Sequence, residues 1–121
     1  MDKIELKERT KKFALKMIDF VENLPKTKAA DVIGKQLLRS ATAIGANYRA
    51  ACKAQSFSHF ISKISLVEEE ADETQYWLEL IKEIYRECDK QVFENLLKEA
   101  RELTAIFTAT TITARKNKNR K

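Results

Sequence analysis

Glycine and proline are nearly absent from this chain of 121 residues: two glycines and one proline. A β-rich protein needs many tight turns, and those residues supply them, so a sandwich or barrel is excluded. Histidine occurs once, as His59, and the residue three before it is Ser56. That excludes the Glu-x-x-His pairs of a di-iron helical bundle. The two cysteines, Cys52 and Cys88, lack metal-ligand spacing and read as reduced, buried thiols. The sequence alone leaves a disulfide between them open. No apolar run reaches the ~18 residues of a membrane span. The stretch from Met1 to Lys12 is dense in charge and has no signal-peptide core. The expectation is a cytoplasmic protein without a membrane partner. No glycine loop for phosphate, nucleophile elbow or zinc spacing occurs. The reading is a non-enzyme with no cofactor and no metal.

What the chain has is charge at helical spacing. Charged residues make up 34% of it, and the net charge is +5. Its length suits one domain with a real core. The stretch from Lys28 to Lys53 organises the rest. Ala30, Gly34, Leu37, Ala41, Ile44, Tyr48 and Ala51 recur at steps of four and three, a heptad seam. The opposite face carries Lys28, Lys35, Arg39, Arg49 and Lys53, with Thr42 and Ala46 between them. An apolar seam therefore backs a basic ridge. Gly45 costs up to ~1 kcal/mol inside a helix, so another backbone should come close there.

Three more seams follow the same rule. Leu6, Thr10, Phe13, Met17, Phe20 and Leu24 predict a first helix from about Asp2 to Asn23, stopped by Pro25. Thr27 should cap the second helix, which runs to about Ala54, and Ser56 or Ser58 the third. The third carries Phe60, Ile64, Val67, Ala71, Thr74, Leu78, Ile81, Tyr85 and Cys88 over about 29 residues, roughly 43 Å. Trp77, Ile84, Leu66 and Leu80 widen its apolar face toward a second neighbour or a second subunit. Asp89 should cap the fourth, whose seam is Phe93, Leu96, Ala100, Leu103, Phe107, Thr110 and Ala114. The threonine-rich run from Thr108 to Thr113 predicts fraying or distortion. The fold class is thus all-α, an antiparallel up-down-up-down four-helix bundle over residues 1–114. A disordered basic tail over residues 115–121, with Arg115, Lys116, Lys118, Arg120 and Lys121, would follow it.

Charge is segregated along the chain. Lys26 to Leu66 holds seven basic residues and one acid; Val67 to Leu103 holds five and twelve; Thr104 to Lys121 holds five and none. Glu69, Asp72, Glu79 and Glu83 line one face of the third helix, with Tyr76 among them. Successive helical residues diverge, so the carboxylates between Glu68 and Glu73 do not converge as an acid catalyst would. His59 reads as a surface or partner contact. The two charged ridges could meet across a subunit boundary. Alternatively the basic ridge and tail are free and hold phosphates.

The strings QLLRSATAIGANYRAA (Gln36 to Ala51) and EADETQYWLELI (Glu70 to Ile81) resemble a known family. It is the four-helix bundle family first named for proteins encoded in intervening sequences of bacterial 23S ribosomal RNA genes, often labelled ribosomal-protein-like. The chain is also similar to the related accessory protein of diversity-generating retroelements. The resemblance implies a ring-like homopentamer, and RNA, DNA or a reverse transcriptase as partners. Its matching polar positions are Arg39, Ser40, Asn47, Arg49, Lys63, Glu70, Glu73 and Thr74. Ser40, Asn47, Glu70, Glu73 and Trp77 would then bond between helices or subunits. The nucleic-acid contacts would be Lys28, Lys35, Arg39, Arg49, Lys53 and the five tail cations. Ala50, Ser65 and Glu69 depart from the pattern, which has glutamate at the first and basic residues at the others.

Overall fold

Each helix begins on a short polar side chain that takes up backbone N–H groups left free by the first turn. Asp2 accepts from the Glu5 amide (2.8 Å), Thr27 from Ala30 (3.1 Å) and Ser56 from His59 (3.0 Å). Asp89 accepts from Gln91 and Val92. The computed structural model describes residues 1–119. It has helices α1 (Lys3–Glu22), α2 (Lys28–Cys52), α3 (Phe57–Ile84) and α4 (Lys90–Asn119), and no strand among the described residues.

Short connections force successive helices to run antiparallel. α2 packs on α1 and α3, and α4 packs on α3 and, most sparsely, on α1. α1 and α3 stand diagonally and do not meet. The seams of α1 and α2 are buried at every predicted position. Phe13, Met17, Ile44, Leu78 and Phe107 are among the largest wholly buried side chains.

Two seam positions differ from the sequence reading. Ile61 and Thr111 are buried, where Phe60 and Thr110 are only half-covered. α3 ends at Ile84, so Tyr85 and Cys88 belong to the connection that follows. The threonine run is not distorted. Thr110 and Thr111 each donate to the carbonyl four residues back (2.8 Å), and Thr108 donates to Glu68 on α3 (2.7 Å). Their hydroxyls are thus satisfied within the helix or by its neighbour, and the run stays α-helical. α4 therefore continues past Ala114 to Asn119, through the stretch expected as a mobile tail. Cys52 closes α2 and Cys88 follows α3, so the length of α3, about 42 Å, separates them. They are free thiols, at opposite ends of the bundle.

Candidate nucleic-acid interface

The up-down topology gathers one end of every helix in one place. The start of α1, the end of α2, the start of α3 and the end of α4 share one end of the bundle. Lys3, Lys7 and Lys11 come from α1, Arg49 from α2 and Lys53 from its cap. Lys63 comes from α3, and Arg115, Lys116 and Lys118 from α4. Arg115 donates to Ser65 (3.1 Å), which ties the last turns of α4 to the first turns of α3. No acid occurs from Arg49 to Leu66 or after Thr104. The acids toward this end are Asp2, Glu5 and Glu8, with Glu68 engaged by Thr108 and Glu69 exposed beside it.

Within this end, α1 and α2 approach closely over a floor of small residues. A Cβ placed on Gly45 would lie 3.2 Å from the Thr10 hydroxyl oxygen. The cleft above, about 280 Å³, is lined by Thr42, Gly45 and Ala46 and flanked by Lys7, Lys11 and Arg49. Thr42 spends its hydroxyl on the Leu38 carbonyl (2.8 Å). The three long cations around a shallow, small-residue floor are suited to a phosphate. No ion pair occupies them among the described residues, and no histidine, cysteine or carboxylate lines the cleft. Among the described residues no group of His, Cys, Asp or Glu could hold a metal, and no helix is long and apolar enough to cross a membrane.

The ridge read from the sequence is divided. Arg49 and Lys53 belong to the basic end, but Lys28 lies at the far end of α2, and Lys35 pairs with Asp31 (3.3 Å). Arg39 leans away to α3, where it bonds both oxygens of Glu70 (3.1 and 3.2 Å) and also Glu73. Its side chain, 48% exposed, is thus ion-paired on the α2–α3 face and stands away from the basic end. Arg120 and Lys121 lie outside the described residues.

The polar positions assigned to contacts between helices or subunits mostly serve α2 and α3 of one molecule. Thr74 donates to the wholly buried Ser40 (2.9 Å), which donates to the Leu37 carbonyl. Trp77 donates through Nε1 to Glu73 (2.9 Å). Asn47 bonds the Ala43 carbonyl of its own helix. Lys7 and Lys11 were not read from the sequence as part of the site. Their spacing of four on α1 was visible, but not which face of α2 they would meet. Arg9 was missed too. It grips Glu99 with two bonds of 2.7 Å and reaches Glu102, bridging α1 to α4.

The two strings that carry the resemblance thus face each other, joined by the cluster of Arg39, Glu70, Glu73, Ser40 and Thr74. A model of the 23S rRNA-intervening sequence protein family matches residues 2–109. The chain belongs to that family. Among solved structures, this family member is similar to a protein from Bacteroides thetaiotaomicron VPI-5482, described as of unknown function and from the S23 ribosomal protein family. The two share 32% identity over 92% of this chain and 98% of that one, with a TM-score of 0.82. No curated protein matches the chain. The family match stops at residue 109, so the α4 cations of the basic end lie beyond it.

Proposed function

We propose that this intervening-sequence family member is a non-catalytic, cytoplasmic, self-associating bundle that holds RNA through its basic end. The observation that supports this is the convergence of cations from all four helices on one end, two of whose contributing segments contain no acid. Phosphate contacts by Lys and Arg release counterions, so affinity should fall steeply with salt. Labelled structured RNA titrated by fluorescence anisotropy at low and high salt tests it. The triple change Lys7→Glu, Arg49→Glu and Lys116→Glu should weaken binding at least about tenfold at unchanged helix content. No binding at low salt, indifference to salt, or a variant that binds like the wild type would each overturn the reading. Unlabelled DNA as competitor reports how far the other nucleic acid shares the surface.

Self-association, to a homopentamer in line with the resemblance, is the second half of the proposal. Pairing of the α2 ridge with α3 between subunits is disfavoured at Arg39, which is engaged within its own molecule. The outer acids of α3 support a different pairing: Glu69, Asp72, Glu79 and Glu83 are exposed and make no ion pair among the described residues.

A further inference from the structure

The sparsest packing in the bundle leaves an open groove between α1 and α4, about 700 Å³ in volume. Leu15 and Val92 line it and remain 57% and 41% exposed. Lys12, Lys16 and Lys98 line it as well. The Arg9 bridge already neutralises Glu99 and Glu102, so these three lysines face one unpaired acid, Asp19. The groove is therefore apolar and cationic.

The complementary surface is on the same chain. The outward face of α3 carries Glu69, Asp72, Glu79 and Glu83 along about 21 Å of helix. Tyr76 stands mid-ridge, 53% exposed, with its ring held edge-on to Trp77 at 5.1 Å. The groove residues span Arg9 to Asp19 on α1 and Val92 to Glu102 on α4, about 15 Å of each helix. The two surfaces are thus of opposite charge, the ridge somewhat the longer, and each has exposed apolar surface: Tyr76 mid-ridge, and in the groove Leu15 near the middle and Val92 toward the Asp19 end. α3 is diagonal to α1, so the ridge cannot enter the groove of its own molecule.

We propose that the α3 ridge of one copy docks into the α1–α4 groove of the next, with Tyr76 between Leu15 and Val92 and the acids against Lys12, Lys16 and Lys98. This rests on the self-association proposed above and names the surfaces that produce it. The contact is head-to-tail, joining two different patches, so repeated docking closes a ring where the rotation allows it. Charge complementarity fixes the register and disfavours ridge-on-ridge pairing.

Light scattering on sized fractions tests it with two charge reversals. Asp72→Lys with Glu79→Lys makes the ridge basic; Lys12→Glu with Lys16→Glu makes the groove acidic. Each variant alone should lose the wild-type mass, because both of its docking patches then carry one sign. An equimolar mixture should re-associate, since each variant's ridge matches the other's groove, but only into species in which the two variants alternate, which a five-membered ring cannot do. The milder pair Asp72→Asn and Glu79→Gln keeps side-chain size and should raise the dissociation constant about tenfold. A wild-type oligomer that survives either reversal, a mixture that stays dissociated, or an unchanged constant in the milder pair would overturn the docking alone. A monomeric wild type would overturn self-association and the docking with it.

Discussion

Tyr48 is buried against Phe107, ring centroids 5.4 Å apart, with its hydroxyl beside the Cys52 thiol. Burial first, and the thiol second, raise its pKa above the ordinary 10.0. The folded state then keeps the phenolic proton at a pH where the unfolded chain has released it. Its contribution to stability is complete below pH ~10 and is lost as pH rises toward the folded value. Urea unfolding from about pH 8 to about pH 11 should show the wild type losing stability relative to Tyr48→Phe. Parallel profiles would refute the assignment. Arg9 offers a second measurement. Its side chain is 24% exposed and that of its partner Glu99 27%, and the Glu99 hydrogen bond is the chief cause raising its pKa. A bidentate pair at that depth outweighs an exposed one. A double-mutant cycle should give about 1–2 kcal/mol for Arg9–Glu99 and under about 0.5 kcal/mol for the exposed Lys35–Asp31 pair.

Helices α1 and α2 show what close approach asks of a sequence. Alanine in place of Gly45 would gain up to ~1 kcal/mol of helix propensity. Its Cβ would press on the Thr10 hydroxyl, which is buried and anchored to the Leu6 and Lys7 carbonyls. Overpacking of that kind costs about 1–3 kcal/mol, so Gly45→Ala should lower the melting temperature. Adding Thr10→Ala should recover much of the loss; a Gly45→Ala protein more stable than the wild type would show the approach to be loose. That something would pack closely at Gly45 was legible in the sequence, as were the caps Thr27 and Asp89 and the seams of α1 and α2, because propensity, periodicity and local hydrogen bonding act within one helix; that the neighbour is Thr10 was not. The slips at Phe60 and Thr110 sit where the neighbouring helix chooses between adjacent residues. The site was less legible for the same reason. The Arg39 side chain is long enough to leave its ridge for Glu70, and Lys7 joins Arg49 only once α1 lies beside α2. Neither follows from the spacing on a single helix.

At the scale of the whole molecule, antiparallel folding turns a segregated sequence into a polar object. The cation-rich runs of α2, α3 and α4 converge at one end, while most acids from Val67 to Leu103 lie along the middle and toward the other. A net charge of +5 would by itself attract any polyanion, so binding alone does not establish the basic end as the contact surface. Two variants of equal net charge separate the possibilities. One replaces Lys7, Arg49 and Lys116 by glutamine at the basic end. The other replaces Lys26, Lys28 and Lys90 at the far end. Each phosphate contact adds about 0.9 to the slope of log affinity against log salt on a duplex. The first variant should flatten that slope by up to about 3, and the second should leave it near the wild-type value. Equal flattening in both would mean that nucleic acid responds to the molecule's total charge and not to the end where the helices gather it.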